Sequence, residues 1–345
     1  MAGYLSIKGK RELLAKVMLR SGACSLAAHL PPRDSLLVLN YHRIGNRDDD
    51  AFDPGVFSAT ARELDDQLSW MRRQLSLVTL EEALAFIGGS IKDKRACCRV
   101  LITFDDGYLD NYQIAYPILR SHGVQGVFFL VTGFVGSAHI PWWDHIAYLL
   151  KTGRRRRFSL HFPADLTVDI ETNGLTESLR SVLSLYKRPE NLDPARFIRD
   201  LANATEGEDP PGTVRRFLDW NEAREMIQGG MAVGSHTHSH NVLSQLTPNQ
   251  QFEELTKSRA ILGEKLGISA DALAYPVGAR TSFSDQTKRI ASEAGYRAAF
   301  SFHGGKNIRG RILPLDMKRN DAGSHSLERF RVRTAVCRFT GSCWP

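Results

Sequence analysis

The sequence predicts an α/β fold, most simply a barrel, and two features of the 345-residue chain support this prediction. Six short apolar runs lack the alternation of a half-exposed strand, which indicates strands covered on both faces, as in parallel sheets. Segments with helical spacing of apolar residues lie between these runs, and such strand–helix alternation is typical of α/β proteins. The predicted strands are residues 36–41, 100–104, 127–131, 231–234, 272–275 and 298–302.

Helix boundaries between the predicted strands carry recognisable capping signals. Thr60 and Glu63 have the spacing of a capping box, in which each side chain satisfies a backbone N–H of the first helical turn. Thr247 followed by Pro248 predicts the start of a second helix, and Gly267 stands where that helix should end.

Two segments of the sequence lack the strand–helix pattern. The first precedes the predicted domain, which spans residues 35–345, and the second lies within it. Residues 1–34 mix leucines with basic residues and predict an amphipathic segment, which either packs on its own domain or lies on an anionic membrane surface. Residues 151–213 contain the run GRRRRF and several prolines. They predict an insertion over the mouth or the side of the barrel, with a short helix near residues 175–186.

Charge and cysteine content narrow the class of protein. The net charge of +7 suggests an anionic partner, but no nucleic-acid-binding motif accompanies it, so we expect an ordinary basic enzyme that binds no nucleic acid. The five cysteines have no metal-binding spacing and indicate reduced thiols. Without a secretory signal or a long apolar span, the expected location is the cytoplasm, either free or peripheral at the inner face of the membrane.

Two neighbouring carboxylates, Asp105 and Asp106, follow the predicted strand over residues 100–104 and precede Gly107, which permits a turn. Side chains alternate along extended backbone, so one carboxylate can bind a metal ion while the other faces a substrate. An Asp-Asp-Gly sequence also occurs in ordinary turns, and that alternative stays open.

Three histidines follow the predicted strand over residues 231–234. His236 and His240 are four residues apart and would share one face of a helical turn, while His238 between them should point elsewhere. Two imidazoles and one carboxylate make an open catalytic site for zinc or a similar divalent ion. The predicted ligand set is therefore His236, His240 and one of the two carboxylates, Asp105 or Asp106.

Two further groups follow predicted strands and gain interest because strand ends of one barrel meet at one mouth. Tyr275, Pro276 and Val277 begin a turn that ends in a glycine and that could expose a backbone N–H toward an oxyanion, although an ordinary strand–loop turn is the better interpretation of these residues alone. His42 follows the first predicted strand, where a packed structural histidine is the alternative.

Together these residues resemble the polysaccharide deacetylases of the NodB-homology type, carbohydrate esterase family four. The sequence TFDDG at residues 103–107 resembles the first family motif, HTHSH at 236–240 the second, and YPVG at 275–278, more loosely, the third. The resemblance implies a distorted seven-stranded (β/α) barrel and hydrolysis of N-acetyl groups on an N-acetylated glycan. It also implies that Asp105 is the catalytic base and that Asp106, His236 and His240 hold the metal ion, zinc or else cobalt, nickel or manganese.

The chain departs from the common family pattern at two points. Ala274 stands where many members carry an arginine that braces the catalytic base, and the usual late Leu-x-His sequence is absent. The circularly permuted poly-N-acetylglucosamine deacetylases resolve the second departure, because their acidic histidine follows an N-terminal strand that ends in Tyr-His. Tyr41 and His42 resemble that segment, so the resemblance assigns the general acid to His42 and favours substrates of the N-acetylglucosamine type.

Two other functions remain open from the sequence. One is a metal-dependent amidohydrolase that acts on a small non-sugar amide, because barrels support many reactions. The other is a catalytically silent module that binds glycans. The carboxylate pair and the histidine pair argue against the silent module.

Overall fold

The computed structural model describes residues 34–91, 97–188, 192–212, 215–323 and 326–340. Apart from residue 34, the amphipathic segment predicted over residues 1–34 lies outside these residues. Among the helices of the described part, none is both long enough and apolar enough to cross a membrane.

Parallel strands dominate the part of the chain that the structure describes. In chain order, the strands are β1 (Ser35–Tyr41), β2 (Arg43–Ile44), β3 (Phe57–Ala59), β4 (Ser76–Leu77), β5 (Cys98–Asp106), β6 (Gly126–Leu130), β7 (Arg157–Leu160), β8 (Leu166–Asp169), β9 (Ala232–Ser235), β10 (Ala272–Ala274), β11 (Ala298–Phe300), β12 (Asn307–Ile308) and β13 (Arg319–Asp321). The six apolar runs that the sequence indicates coincide with β1, β5, β6, β9, β10 and β11.

A ring of parallel strands forms the body of the molecule. Its order is β13, β1, β5, β6, β9, β10 and β11, and every neighbouring pair in this series is parallel. A parallel bridge between Phe300 and Met317 joins the end of β11 to the segment that leads into β13, and so closes the ring. The predicted distorted (β/α) barrel is confirmed, and β13 is the strand that the apolar pattern did not reveal.

Most helices cover the outside of the ring, and three build the lobe at residues 151–213. The helices are α1 (Ala61–Gln74), α2 (Leu80–Ile87), α3 (Tyr116–Ser121), α4 (Trp142–Thr152), α5 (Ile170–Asn173), α6 (Leu175–Tyr186), α7 (Pro194–Thr205), α8 (Trp220–Gln228), α9 (Pro248–Leu266), α10 (Asp285–Glu293) and α11 (Leu327–Thr340). The predicted caps are present: Thr60 and Glu63 form a capping box at α1, and Gly267 ends α9 with a left-handed φ of 68°.

Alternation along the strands separates two apolar layers. Within β1, Leu36 and Val38 belong to the cluster that also contains Phe129 and Phe300, whereas Leu37 and Leu39 pack with residues of α1. Successive side chains of a strand point to opposite faces, so one set fills the barrel and the other supports the helices. Burial on both faces explains why these strands appear as continuous apolar runs.

The insertion predicted over residues 151–213 is a packed lobe rather than an irregular loop. It contains the antiparallel pair β7–β8 and helices α5, α6 and α7, and it shares an apolar cluster with α4. Helix α6 coincides with the helix predicted near residues 175–186. Within the arginine run, Arg155 pairs with Glu206 and the Arg156 guanidinium donates to the Leu150 carbonyl at 2.9 Å, so this lobe itself engages both side chains.

Candidate active site

The carboxyl ends of the barrel strands meet around one cavity of about 780 Å³. Because the strands are parallel, the residues that end or directly follow β1, β5 and β9 all lie at the same end of the barrel. His42, Asp105, Asp106, His236 and His240 line this cavity together, although they come from three separate parts of the sequence.

Asp106, His236 and His240 form a compact cluster of buried side chains whose nearest ligand atoms lie within 4.8 Å of one another. The Asp106 Oδ1 atom lies 3.5 Å from Nε2 of His236 and 3.4 Å from Nε2 of His240. This oxygen is buried and has no hydrogen-bond partner. One carboxylate oxygen and two imidazole nitrogens thus face one small space, as the sequence predicts.

The orientation of the His236 ring is set by the end of β10. Its Nδ1 lies 2.8 Å from the carbonyl oxygen of Ala274. A carbonyl can only accept, so Nδ1 carries a hydrogen and Nε2 is the ring atom that faces the cluster. For His240, burial and the nearby charge of His236 lower the pKa to about 3, which leaves this ring neutral.

The loop that carries His236 and His240 is not helical, so the expectation that the two histidines share one face of a helical turn was wrong. Thr237 and His240 have left-handed φ angles of 66° and 57°, and these two residues fold the loop back on itself. The Glu254 carboxylate accepts hydrogen bonds from the backbone N–H groups of His238 and Ser239, at 3.0 and 2.9 Å. The His238 ring lies outside the cluster, as predicted; its Nδ1 is 3.0 Å from Thr132 Oγ1.

Asp105 lies beside the cluster but is held by a different set of partners. Its two oxygens accept hydrogen bonds from Nη1 and Nη2 of Arg319 at 2.6 and 2.8 Å, and Oδ2 accepts a third from Asn40 at 3.1 Å. Burial acts to raise the pKa of Asp105, but the charges of Arg319 and His236 outweigh it and hold the pKa well below its usual range. Asp106 has φ 75°, and this left-handed turn separates its carboxylate from that of Asp105.

Arg319 is the site residue that sequence reasoning missed. It lies in β13, is 1% exposed, and also donates to Asn40 Oδ1 at 2.8 Å. It therefore supplies the brace for Asp105 that Ala274 cannot. The available signal was indirect: the seven-stranded barrel that the resemblance implies needs one more strand than the six apolar runs supply.

His42 lies at the mouth of the barrel, directly after β1. Its Nε2 is 3.9 Å from Asp105 Oδ2, and its side chain is 28% exposed. The backbone of His42 is anchored on both sides, because its N–H donates to Ser58 Oγ at 2.9 Å and its carbonyl accepts from Asn111 Nδ2 at 2.8 Å. The imidazole is thus partly open to the cavity on a fixed section of backbone.

Tyr275, the first residue of the turn after β10, does not line the cavity, contrary to the expectation from the sequence. The Tyr275 side chain is buried in the core, where its ring stacks on Phe283 with a centroid distance of 4.3 Å and its hydroxyl donates to the Leu315 carbonyl at 2.9 Å. A side chain committed in this way supports the turn and does not reach the cavity. Of the predicted substrate-contact residues Tyr275, Pro276 and Val277, only Val277, with φ 63°, lines the cavity.

The inserted lobe forms one wall of the cavity. Trp142 and Trp143 at the start of α4 and Leu179 and Leu183 of α6 face the space above the carboxylates and histidines. The Trp143 ring is 4.4 Å from the ring of His240, measured between centroids. The cavity is therefore larger than the cluster itself and has an apolar side, as ligand sites commonly do.

The sequence and the fold are both similar to known proteins. Residues 92–299, more than half of the chain, match the polysaccharide deacetylase family. The chain is 23% identical over 298 residues to the putative polysaccharide deacetylase YxkH of Bacillus subtilis, covering 86% of this chain and 71% of that protein. It is 29% identical over 117 residues to a poly-β-1,6-N-acetyl-D-glucosamine N-deacetylase of Staphylococcus epidermidis, covering 31% of this chain and 39% of that protein.

Solved structures share the fold. IcaB from Ammonifex degensii aligns with a TM-score of 0.53 and 21% identity, covering 87% of this chain and 96% of that chain. The deacetylase PplD of Streptococcus pyogenes, solved in complex with acetate, aligns with a TM-score of 0.53 and 20% identity, covering 84% and 92%. At these identities the likeness concerns the fold alone.

Proposed function

The chain belongs to the polysaccharide deacetylase family, and we propose that it is a metal-dependent hydrolase that removes N-acetyl groups from N-acetylglucosamine-type units of a polysaccharide or oligosaccharide. One observation carries the proposal. A carboxylate braced by Arg319, a separate cluster of Asp106, His236 and His240, and an imidazole at the mouth line the same cavity. The N-acetylglucosamine deacetylase among the relatives supports the class of substrate.

The cluster fits a divalent metal ion. Asp106 Oδ1 is buried without a hydrogen-bond partner, and both imidazoles turn Nε2 toward it, which is the donor set of an open catalytic site. When bound there, a divalent ion supplies Lewis-acid polarisation of a carbonyl and lowers the pKa of a nearby water. We propose zinc, with cobalt, nickel or manganese as ions that the same ligands accept.

Asp105 is the proposed general base. Its low pKa keeps it ionised at neutral pH, and it lies 3.9 Å from His236 Nε2, next to the proposed metal ligands but engaged by Arg319 and Asn40 instead. A carboxylate held in this way accepts a proton from the attacking water at a fixed position. Because Arg319 donates to both oxygens, it positions the base rather than touching the substrate.

His42 is the proposed general acid. Its imidazole is partly exposed to the cavity while Nε2 lies 3.9 Å from Asp105 Oδ2, so a proton that Asp105 takes up has a nearby acceptor. A protonated imidazole at this position can donate to the leaving amine of the sugar. The backbone near Val277, the part of its turn that borders the cavity, is the proposed contact for the oxyanion.

Acetate release from a panel of N-acetylated glycans tests this function. We expect acetate and free amine in equal amounts from at least one N-acetylglucosamine oligomer or polymer, and little from small non-sugar amides, because the large cavity leaves a small amide few contacts. Acetate from small amides alone would instead support the amidohydrolase alternative. Neither acetate nor stoichiometric metal would support a silent binding module.

Site variants test the assigned roles separately. His236→Ala and His240→Ala should each lose the metal ion, because two ligands do not hold a divalent ion as three do. Asp105→Asn should retain the metal yet lose activity, whereas Asp106→Asn should weaken metal binding itself. Elemental analysis that shows equal metal loss in both aspartate variants would contradict the division of roles.

A further inference from the structure

The inserted lobe brings a lysine to the catalytic cavity at the end of α6. Lys187 follows the last residue of that helix, and its Nζ lies 5.7 Å from the centre of the Trp142 ring. Both side chains line the cavity that holds the proposed metal ligands. Arg188, the next residue, lines it as well and is exposed.

Unlike the ammonium group of Lys151, that of Lys187 has no hydrogen-bond acceptor among the described residues. In the described part of the chain, Lys187 Nζ makes neither a hydrogen bond nor an ion pair. Lys151, by contrast, donates to the carbonyls of Asp50 and Phe52. A partly buried charge without a hydrogen-bonded partner costs free energy, so its presence in a ligand cavity points to a counter-ion supplied by the ligand.

The charge of Asp53 acts on Lys187, but Asp53 is not a full counter-ion for the lysine. Burial lowers the pKa of Lys187, and the charge of Asp53 opposes that shift. The Asp53 carboxylate is itself engaged, since Oδ1 accepts the Gly55 N–H at 2.7 Å, and it lies beyond ion-pair distance of Nζ. Burial raises the pKa of Asp53, which weakens it further as a counter-ion.

The position of Lys187 fits the sugar next to the one that loses its acetyl group. Trp142 links the two regions, because its ring centre is 6.5 Å from the ring centre of His240 and 5.7 Å from Lys187 Nζ. The Tyr186 ring stacks on this indole at 4.2 Å between centroids, and the Lys187 ammonium lies over the indole. A sugar ring bound against the part of Trp142 that borders the cavity would therefore lie next to the ammonium.

We propose that Lys187, with Arg188, forms a subsite for an anionic group, a phosphate or a carboxylate, carried by the sugar next to the N-acetylated one. This inference rests on the proposed deacetylase function and narrows its substrate class to acidic glycans. The net charge of +7 favours the approach of such substrates.

Steady-state kinetics on matched substrates tests the subsite. The probes are an N-acetylglucosamine trimer, the same trimer with a phosphate ester on one terminal sugar, and the same trimer with a carboxylate there. The wild-type protein should favour at least one anionic trimer, mainly through KM. Lys187→Gln should lower the anionic-to-neutral ratio of kcat/KM about tenfold, the value of one charge-assisted hydrogen bond.

Arg180→Gln is the matched control. Arg180 borders the same cavity from α6 but is already ion-paired with Glu177, so its replacement should leave the ratio unchanged. The two anionic trimers identify the charged group that the subsite binds. A phosphate-binding subsite should favour the phosphorylated trimer, and a carboxylate-binding subsite should favour the carboxylated one. A wild-type protein that favours neither anionic trimer, or a Lys187→Gln variant with an unchanged ratio, overturns the proposal.

A binding measurement keeps this inference separate from the deacetylase proposal. Calorimetric titration of the Asp105→Asn variant, which should not consume the probes, gives the affinity for each trimer without turnover. Tighter binding of an anionic trimer that Lys187→Gln abolishes supports the subsite even when no acetate is released, an outcome that would defeat only the proposed reaction. Equal affinities for all three trimers overturn the subsite.

Discussion

Replacement of Arg319 is the sharpest perturbation of the candidate site. Its guanidinium makes four hydrogen bonds: two to Asp105, one to Asn40 Oδ1, and one from Nε to the Ser301 carbonyl at 3.2 Å. Arg319→Met removes all four and leaves the Asp105 carboxylate buried with Asn40 as its remaining donor among the described residues. Loss of one member of a buried ion pair costs about 3–5 kcal/mol of the free energy of unfolding.

Arg319→Lys is the conservative comparison. It keeps the positive charge but cannot donate to both carboxylate oxygens in the planar geometry of a guanidinium. The loss of unfolding free energy should therefore be smaller, about 1.5–3 kcal/mol, the value of a hydrogen bond to a charged group. In both variants, the pKa of Asp105 should rise, because Arg319 is the leading cause that lowers it, and the acidic limb of the kcat/KM profile should move to higher pH.

The assay is urea unfolding of four proteins: the wild type, Arg319→Met, Asp105→Ala and the double variant. If the two side chains act on each other, the double variant should be more stable than the sum of the single effects predicts, by at least about 1 kcal/mol. Metal content, measured in parallel, should be retained in Arg319→Met. Additivity within about 0.5 kcal/mol would refute the view that Arg319 braces Asp105.

Three further predictions concern other parts of the molecule. His42→Ala should keep its fold and metal content but lose about 10²–10⁴-fold in rate, the usual contribution of a general acid, whereas a loss of stability without that loss of rate would make His42 structural. Burial, opposed by Arg216, raises the pKa of Asp144 from 3.8 to about 6, so the folded state holds the proton more tightly and the free energy of unfolding should fall by about 3 kcal/mol as pH rises from about 4 to 6. Thermal denaturation of Asp144→Asn should lack that fall, and an identical pH profile would contradict the shift. If residues 1–34 contact an anionic membrane, the protein should sediment with anionic vesicles at low salt and leave them at high salt, and an absence of binding to any vesicle would exclude the contact.

The sequence revealed those parts of the barrel that local patterns encode. Six strands were visible because burial on both faces requires continuous apolar runs, and α1 was visible through its capping box. Strand β13 was hidden because its three residues, Arg-Asn-Asp, are all polar, and the burial of Arg319 depends on Asp105, 214 positions earlier. No local pattern encodes a contact at that separation.

For the candidate site too, the sequence revealed local features but not the contacts between residues far apart in the chain. Residue types and their positions after predicted strands brought the carboxylate pair, His236 and His240 to one place, because parallel strand ends meet at one mouth. The choice of Asp106 as the metal ligand came from the family resemblance. The backbone conformation differs from the expected one, because left-handed residues in a loop, and not a helical turn, bring the two imidazoles together. Tyr275 could not be placed from sequence, because nothing local distinguishes a tyrosine that faces the cavity from one that packs on Phe283.

The central claim is that Asp105 activates water next to a metal ion held by Asp106, His236 and His240, and that the product is acetate. Its most direct test measures bound metal and acetate release on the same preparations of the wild type and Asp105→Asn, with an N-acetylglucosamine oligomer as substrate. We expect about one divalent ion per chain in both proteins, equal amounts of acetate and free amine from the wild type, and a rate at least about 10²-fold lower in the variant. Undiminished acetate release by Asp105→Asn, or none from the fully metal-loaded wild type on any N-acetylated glycan, would contradict the claim.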